Sequence, residues 1–200
     1  MPRLSKREAI LQVAGDLFVA QGFSRVSIDQ IAAAVPISKP TLYAHFKDKR
    51  DLYQAVISSR CAKLVGQMQA TVVSGNYSVE KTLTVIGVQF LEAVLSPAAI
   101  NMHRTLTAEV DSFPESGKLF YNSGPKQTHA FLSTYLADMA KQKRLTVADP
   151  GLSADMFLSM IRGYAHLQCL LGVRKPLSKK EMGARVAYAV SLFMRAHKPA

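Results

Sequence analysis

Apolar residues along this chain return every three or four positions rather than every second one, which predicts helices throughout and no strand of useful length. Between Lys6 and Gln21 the set Ile10, Ala14, Leu17 and Phe18 makes one stripe, with Gly22 as a stop and Phe23 folding back onto it. Ser27 then caps a short helix. Gln30 completes a capping box, and Ile28, Ile31, Ala32 and Val35 share one face. Pro36 disfavours helical geometry at Val35 and has no amide hydrogen, so the chain must turn. Ser38 caps a second helix with Lys39 and Pro40 in its first turn. Leu42 and Phe46 lie four apart on one face of it, while Lys39, Tyr43 and Lys47 fall on another, flanked by Thr41 and His45.

Asp48 predicts the cap of a longer helix over about 48–73, carried by Leu52, Ala55, Val56 and Leu64 and broken by Gly75 and Asn76. Further helices are expected at about 78–95, 97–111, 115–122, 125–143, 150–171 and 178–196. Ser96-Pro97 and Asp149-Pro150 are cap-plus-proline starts, Gly124-Pro125 ends one segment and begins another, and Gly172 is a stop. Ser178 and Glu181 form another capping box, followed by a stripe of Met182, Val186, Ala189 and Phe193. The fold class is all-α.

The second short helix divides an apolar anchoring side from a side bearing a hydroxyl, a phenol, an imidazole and ammonium groups. Such a side suits base edges and phosphates, and it equally suits a solvated helix face. Composition adjusts the choice only slightly. A 48% hydrophobic content supports a sizeable core in 200 residues, and the formal net charge of +11 favours polyanionic partners. Residues 1 to 50 hold eight Lys and Arg against four Asp and Glu, so only +4 of that charge sits there.

The stretch from about Lys6 to Ile57 resembles the N-terminal DNA-binding domain of the TetR family of transcriptional regulators. The resemblance is carried by Ile10, Ala14, Leu17, Phe18 and Gly22-Phe23, by Ser27, Ile31 and Ala32, and most specifically by the run Thr41-Leu42-Tyr43-Ala44-His45-Phe46-Lys47-Asp48-Lys49. Pro36 departs from the family, which usually has glycine in that turn. The resemblance implies a three-helix helix-turn-helix domain over 1–50 and a larger helical ligand-sensing and dimerisation domain over 51–200. It places double-stranded DNA contacts on Ser27, Ser38, Lys39, Thr41, Tyr43, His45, Lys47 and Lys49. Met1 to Ser5 is expected to be a mobile arm whose Arg3, with Lys6 and Arg7, either meets phosphates or stays solvated.

Further on, Phe113-Pro114, Leu119-Phe120-Tyr121, Gly124-Pro125 and Asp149-Pro150 resemble the C-terminal domain of AefR-like members. That implies a homodimer built on the last two long helices. Met156, Met160, Leu167, Leu171, Val186, Ala189 and Phe193 are the candidate interface, although the same apolar surfaces could be satisfied inside one chain. Two recognition helices about 34 to 36 Å apart would match a palindromic operator. The middle helices supply a candidate pocket from Phe90, Met102, His103, Leu106, Phe120, Tyr121, Phe131 and Tyr135, suited to a small hydrophobic or amphipathic effector, with ordinary core packing as the alternative for each.

Catalysis finds little support. His45, His103, His129, His166 and His197 are scattered, without metal spacing, and there is no glycine-rich phosphate loop, so no enzyme and no cofactor is expected. Cys61 and Cys169 are expected to be inert thiols. No charged-then-apolar leader and no apolar run of about 18 residues is present, which predicts a cytoplasmic protein without a membrane partner. The expected function is a ligand-responsive transcriptional regulator, most simply a repressor released by its effector. The competing expectation is an architectural DNA-binding protein that senses nothing.

Overall fold

The structure is a computed structural model and describes residues 5–74 and 77–199. Met1 to Leu4, with the expected Arg3 contact, and the Gly75-Asn76 break lie outside the described residues. Ten helices, and no strand, make up the described chain: α1 Lys6–Gln21, α2 Ile28–Ala34, α3 Lys39–Tyr43, α4 Lys49–Ser74, α5 Val79–Val94, α6 Pro97–Glu109, α7 Pro114–Ser123, α8 Pro125–Lys141, α9 Pro150–Leu170 and α10 Lys179–Ala196.

Most helices begin where a short polar side chain can reach an orphan amide. Ser27 Oγ accepts from the Gln30 N–H while Gln30 Oε1 accepts from the Ser27 N–H at 2.8 Å. Ser38, Ser96, Asp149 and Ser178 cap α3, α6, α9 and α10 in the same way. Ser5, expected in a mobile arm, is instead the cap of α1, locked to Glu8 by a capping box.

Two ends of one motif show what the backbone demands at helix stops. At the end of α9, Gly172 takes φ +74° and donates to the Cys169 carbonyl, while Val173 donates to that of Gln168. At the end of α2, Ile37 donates to the Ala32 carbonyl in the matching outer bond. The residue in glycine's place there is Pro36, at φ +27° and without an N–H.

Two cores fill the molecule. The first joins Ile10, Ala14, Phe18, Ile31, Leu42, Phe46, Leu52 and Ile57, and is closed by Leu106 from α6. The second, larger core gathers α5, α8, α9 and α10 around Ile86, Leu132, Phe157, Ile161 and Val186. Helix α4, 26 residues and so about 39 Å long, contributes to both. At its far end Arg144 Nη2 donates to the Tyr77 carbonyl, and Thr146 donates to the carbonyl of His197. Helix α10 therefore finishes beside the far end of α4.

The sequence pattern predicts one continuous helix over 150–171. The structure breaks it at Gly163, whose φ of 42° and ψ of −151° are not helical. No single helix among the described residues is long and apolar enough to cross a membrane.

Candidate nucleic-acid interface

Helices α2 and α3 are pinned from beneath by Ile31, Leu42 and Phe46, all essentially inaccessible. What remains outward is polar. Lys39, Tyr43, His45 and Lys47 are exposed, Tyr43 by 50% despite its size, and Ser27 and Ser38 are exposed as well. Ser38 Oγ lies 2.8 Å from Thr41 Oγ1, so the cap also fixes the threonine rotamer. Lys39 Nζ meets Asp29 Oδ1 at 2.6 Å across the α2–α3 turn, with both groups more than half exposed. An ion pair that wet contributes little to stability and releases its ammonium readily to a phosphate.

Helix α3 is shorter than the pattern suggests. It ends at Tyr43, and the bond from Phe46 N–H to the Leu42 carbonyl adds one further turn. Lys47 therefore follows the helix rather than sharing its face with Lys39 and Tyr43, and its N–H donates to Asp51 Oδ2. Asp48 accepts from the Asp51 N–H, as expected of the α4 cap.

Lys49 is placed differently from its expected role at a phosphate. Its ammonium donates to the carbonyls of Phe23 and Val26, each at 3.0 Å, and lies 4.5 Å from the Phe23 ring. It staples the α1–α2 connection to the start of α4. Phe23 in turn stacks near Tyr53 and Phe18, which confirms that it folds back onto α1. Arg7 lies over the Phe46 ring at 5.1 Å, a placement that spacing did not suggest.

The eight candidate effector residues do not converge on one cavity. Phe90 and Tyr135 are buried in the larger core with Phe131 against it, whereas Leu106 lies in the smaller core with Met102 and Phe120 against it. Tyr121 is 58% exposed. Of the eight, Met102 alone lines the partly open cleft between α1, α4 and α6, which holds about 20 Å³. That is room for about one water.

His103 has an unexpected partner. Its Nδ1 lies 3.0 Å from Nε2 of His166 on α9, and its ring packs edge-on against Phe120. Burial, then His166, then Arg162 push the His103 pKa down to about 4, and burial with Arg162 lowers that of His166. No signal in the sequence links two histidines 63 residues apart.

The candidate dimer residues divide. Met156, Leu167 and Leu171 are exposed and Met160 is partly buried, as an association surface requires. Val186, Ala189 and Phe193 are corrected: they are at most 4% exposed in this chain's own core, where Phe193 packs edge-on against Phe157. The α10 stripe is real but faces inward. The outward apolar side chains are Tyr188 and Leu192, alongside Leu152 and Tyr164 of α9.

A short helix held from below by an apolar stripe, turned from a second capped helix and presenting exposed lysine, tyrosine and histidine, defines a helix-turn-helix DNA reader attached to a helical body. Residues 10–56 match the bacterial regulatory proteins of the tetR family, and residues 81–199 match the AefR-like transcriptional repressor C-terminal domain. The chain belongs to the TetR family, as a DNA-binding transcriptional regulator. It is 38% identical over 65 residues to the transcriptional activator FasR of Mycolicibacterium smegmatis, covering 32% of this chain and 30% of FasR. It is 32% identical over 126 residues to the regulator SrpR of Pseudomonas putida, covering 63% of this chain and 55% of SrpR. The chain thus spans 30% to 55% of the length of those relatives. Among solved structures, the flavonoid-responsive regulator FrrA aligns with TM-score 0.71 and 30% identity over 97% of both chains. A TetR-family regulator from Mesorhizobium loti aligns with TM-score 0.87 over 96% of both, at 21% identity.

Proposed function

We propose that this regulator binds a palindromic operator as a homodimer, represses by occupying promoter DNA, and is released by a small hydrophobic or amphipathic effector. Residues 1–50 read the DNA and residues 51–200 sense and dimerise, joined by α4. The observation that carries the reading is the exposed Tyr43 phenol beside Lys39 and His45 on an apolar-anchored helix, because a large aromatic left half in water has a use there. Ser27, Ser38, Thr41 and Lys47 add backbone contacts around it. The exposed set Met156, Tyr164, Leu167, Leu171, Tyr188 and Leu192 on α9 and α10 supports association with a second copy.

Phe90, Phe131 and Tyr135 pack in one core and Met102, Leu106 and Phe120 in the other, so the effector acts there by parting packed helices. Binding favours a conformation in which α6 has moved from α1 and α4, and the shift is limited by the ligand's preference for that state. The likeness to FrrA, flavonoid-responsive by name, supports an amphipathic aromatic compound. Sedimentation of the protein with one palindromic duplex tests the assembly: two chains per duplex are expected, and one chain per duplex at saturation overturns it.

A further inference from the structure

Helix α9 changes direction where only glycine adopts the backbone without strain. The φ of 42° at Gly163 lies on the positive side, and the break withdraws amide donors from the turn before it. The guanidinium of Arg185, on α10, takes their place. Nε donates to the Ile161 carbonyl, and Nη2 donates to that of Met160 at 3.1 Å. A Cβ at residue 163 would fall on Arg185 Nη2. The bend and the arginine therefore fit together: the bend exposes carbonyls for the guanidinium, and the missing side chain leaves space for it.

Beyond the bend, residues 164–170 form a short arm whose polar groups hold α6. His166 meets His103, and the carbonyls of Cys169 and Leu170 accept from Nη2 and Nε of Arg104, both at 2.8 Å. The same helix also reaches the reader, with Arg104 Nη1 donating to Asn101 Oδ1 at 3.3 Å. Asn101 Nδ2 donates to the Val19 carbonyl of α1 at 3.0 Å, and Leu106 closes the core under α2 and α3. The arm is about 10 Å long, so a change at the bend moves its tip by several ångströms, more than these hydrogen bonds tolerate.

We propose that Arg185 is a positioning residue for DNA reading: by filling the break at Gly163 it sets the attitude of residues 164–170, and through Arg104, His103 and Asn101 of α6 it sets the position of α1. The proposal rests on the DNA-reading role above and adds a group far from the DNA face. Helix α6 is the shared member, holding α9 through Arg104 and His103 and α1 through Asn101.

The test measures binding of a selected operator duplex to the full chain by fluorescence anisotropy. Arg185→Met should weaken binding roughly five- to tenfold while leaving helical content and dimer mass unchanged. Arg185→Lys, which keeps the charge and a donor, should recover part of the loss, and Arg195→Gln, on the exposed last turn of α10, should change nothing. Because the effect passes through α6, Arg185→Met combined with Asn101→Ala should bind no more weakly than the weaker single variant. Binding of Arg185→Met within twofold of wild type, or losses that simply multiply, would overturn the proposal. If Arg185→Met fails to fold, Arg185→Lys and Gly163→Ala are judged by the same affinity criterion. A wild-type protein that selects no operator would refute the DNA-reading role and this inference together, and that result appears before any variant is made.

Discussion

Replacing Pro36 by glycine should stabilise the protein, although removing a loop proline ordinarily does the opposite. The proline ring prefers φ near −65°, and residue 36 stands at +27°. Relief of a non-glycine residue on the left-handed side is worth about 1–2 kcal/mol. Glycine also restores an N–H that can reach the Ala33 carbonyl, the bond that Gly172 makes to Cys169 at the end of α9, and that adds about 1 kcal/mol. Against this, the freer unfolded chain removes about 1–2 kcal/mol. The balance is a gain of about 1 kcal/mol, or a rise of roughly 2–4 °C in the melting midpoint for a chain of this size. Pro36→Ala regains the N–H but keeps the strain and should fall below the glycine variant. The Ile37 bond to Ala32 already holds the turn, so operator affinity should stay unchanged. Differential scanning calorimetry of the three proteins decides the matter. A lower midpoint for Pro36→Gly than for wild type would refute the reasoning, because it would mean the turn suits an unstrained proline.

Tyr43→Ala should weaken operator binding by about 1–3 kcal/mol, as loss of a base or phosphate anchor does, with dimer mass unchanged; affinity equal to wild type would remove the proposed reading face. Tyr188→Asp should shift sedimentation toward monomer, whereas Phe193→Asp should cost several kcal/mol of folding stability because it puts a charge in the core; a stable, dimeric Phe193→Asp would contradict the assigned faces. Lys49→Met should lower the melting midpoint by loosening the Phe23–Val26 staple, and a loss confined to DNA affinity would instead mark a phosphate contact. Stability should decline as pH falls from about 6.5 toward 4, because His103, with its pKa lowered to about 4, leaves the unfolded chain to bind the proton first. Urea midpoints across that window read this, and His103→Phe should flatten the decline.

Much of the fold is written locally. Serine or aspartate before a helical stripe satisfies an amide three residues on, so Ser27, Ser38, Ser96, Asp149 and Ser178 mark helix starts without knowledge of tertiary structure. The burial pattern of α3 was legible for the same reason, since spacing alone separates Leu42 and Phe46, which are buried, from the exposed Tyr43. What depends on distant partners was not. Helix α10 carries apolar residues on two sides, and nothing local says that Val186 and Phe193 turn inward while Tyr188 and Leu192 turn out. The bend at Gly163 is set in part by an arginine on the next helix, and the aromatic residues grouped as a pocket are drawn into two cores by the packing of α4 and α6. Lys49 looked free for a phosphate because the carbonyls that hold it come from a connection more than twenty residues earlier.

Selection of binding sites from random duplex DNA by the purified protein, at low and at higher salt, tests the central claim most directly. Enrichment of one palindrome that persists at higher salt is the predicted result, since base contacts add to phosphate contacts in a sequence-reading dimer. Binding without any enriched motif, collapsing as salt rises, would contradict it and point to an architectural protein held by charge alone.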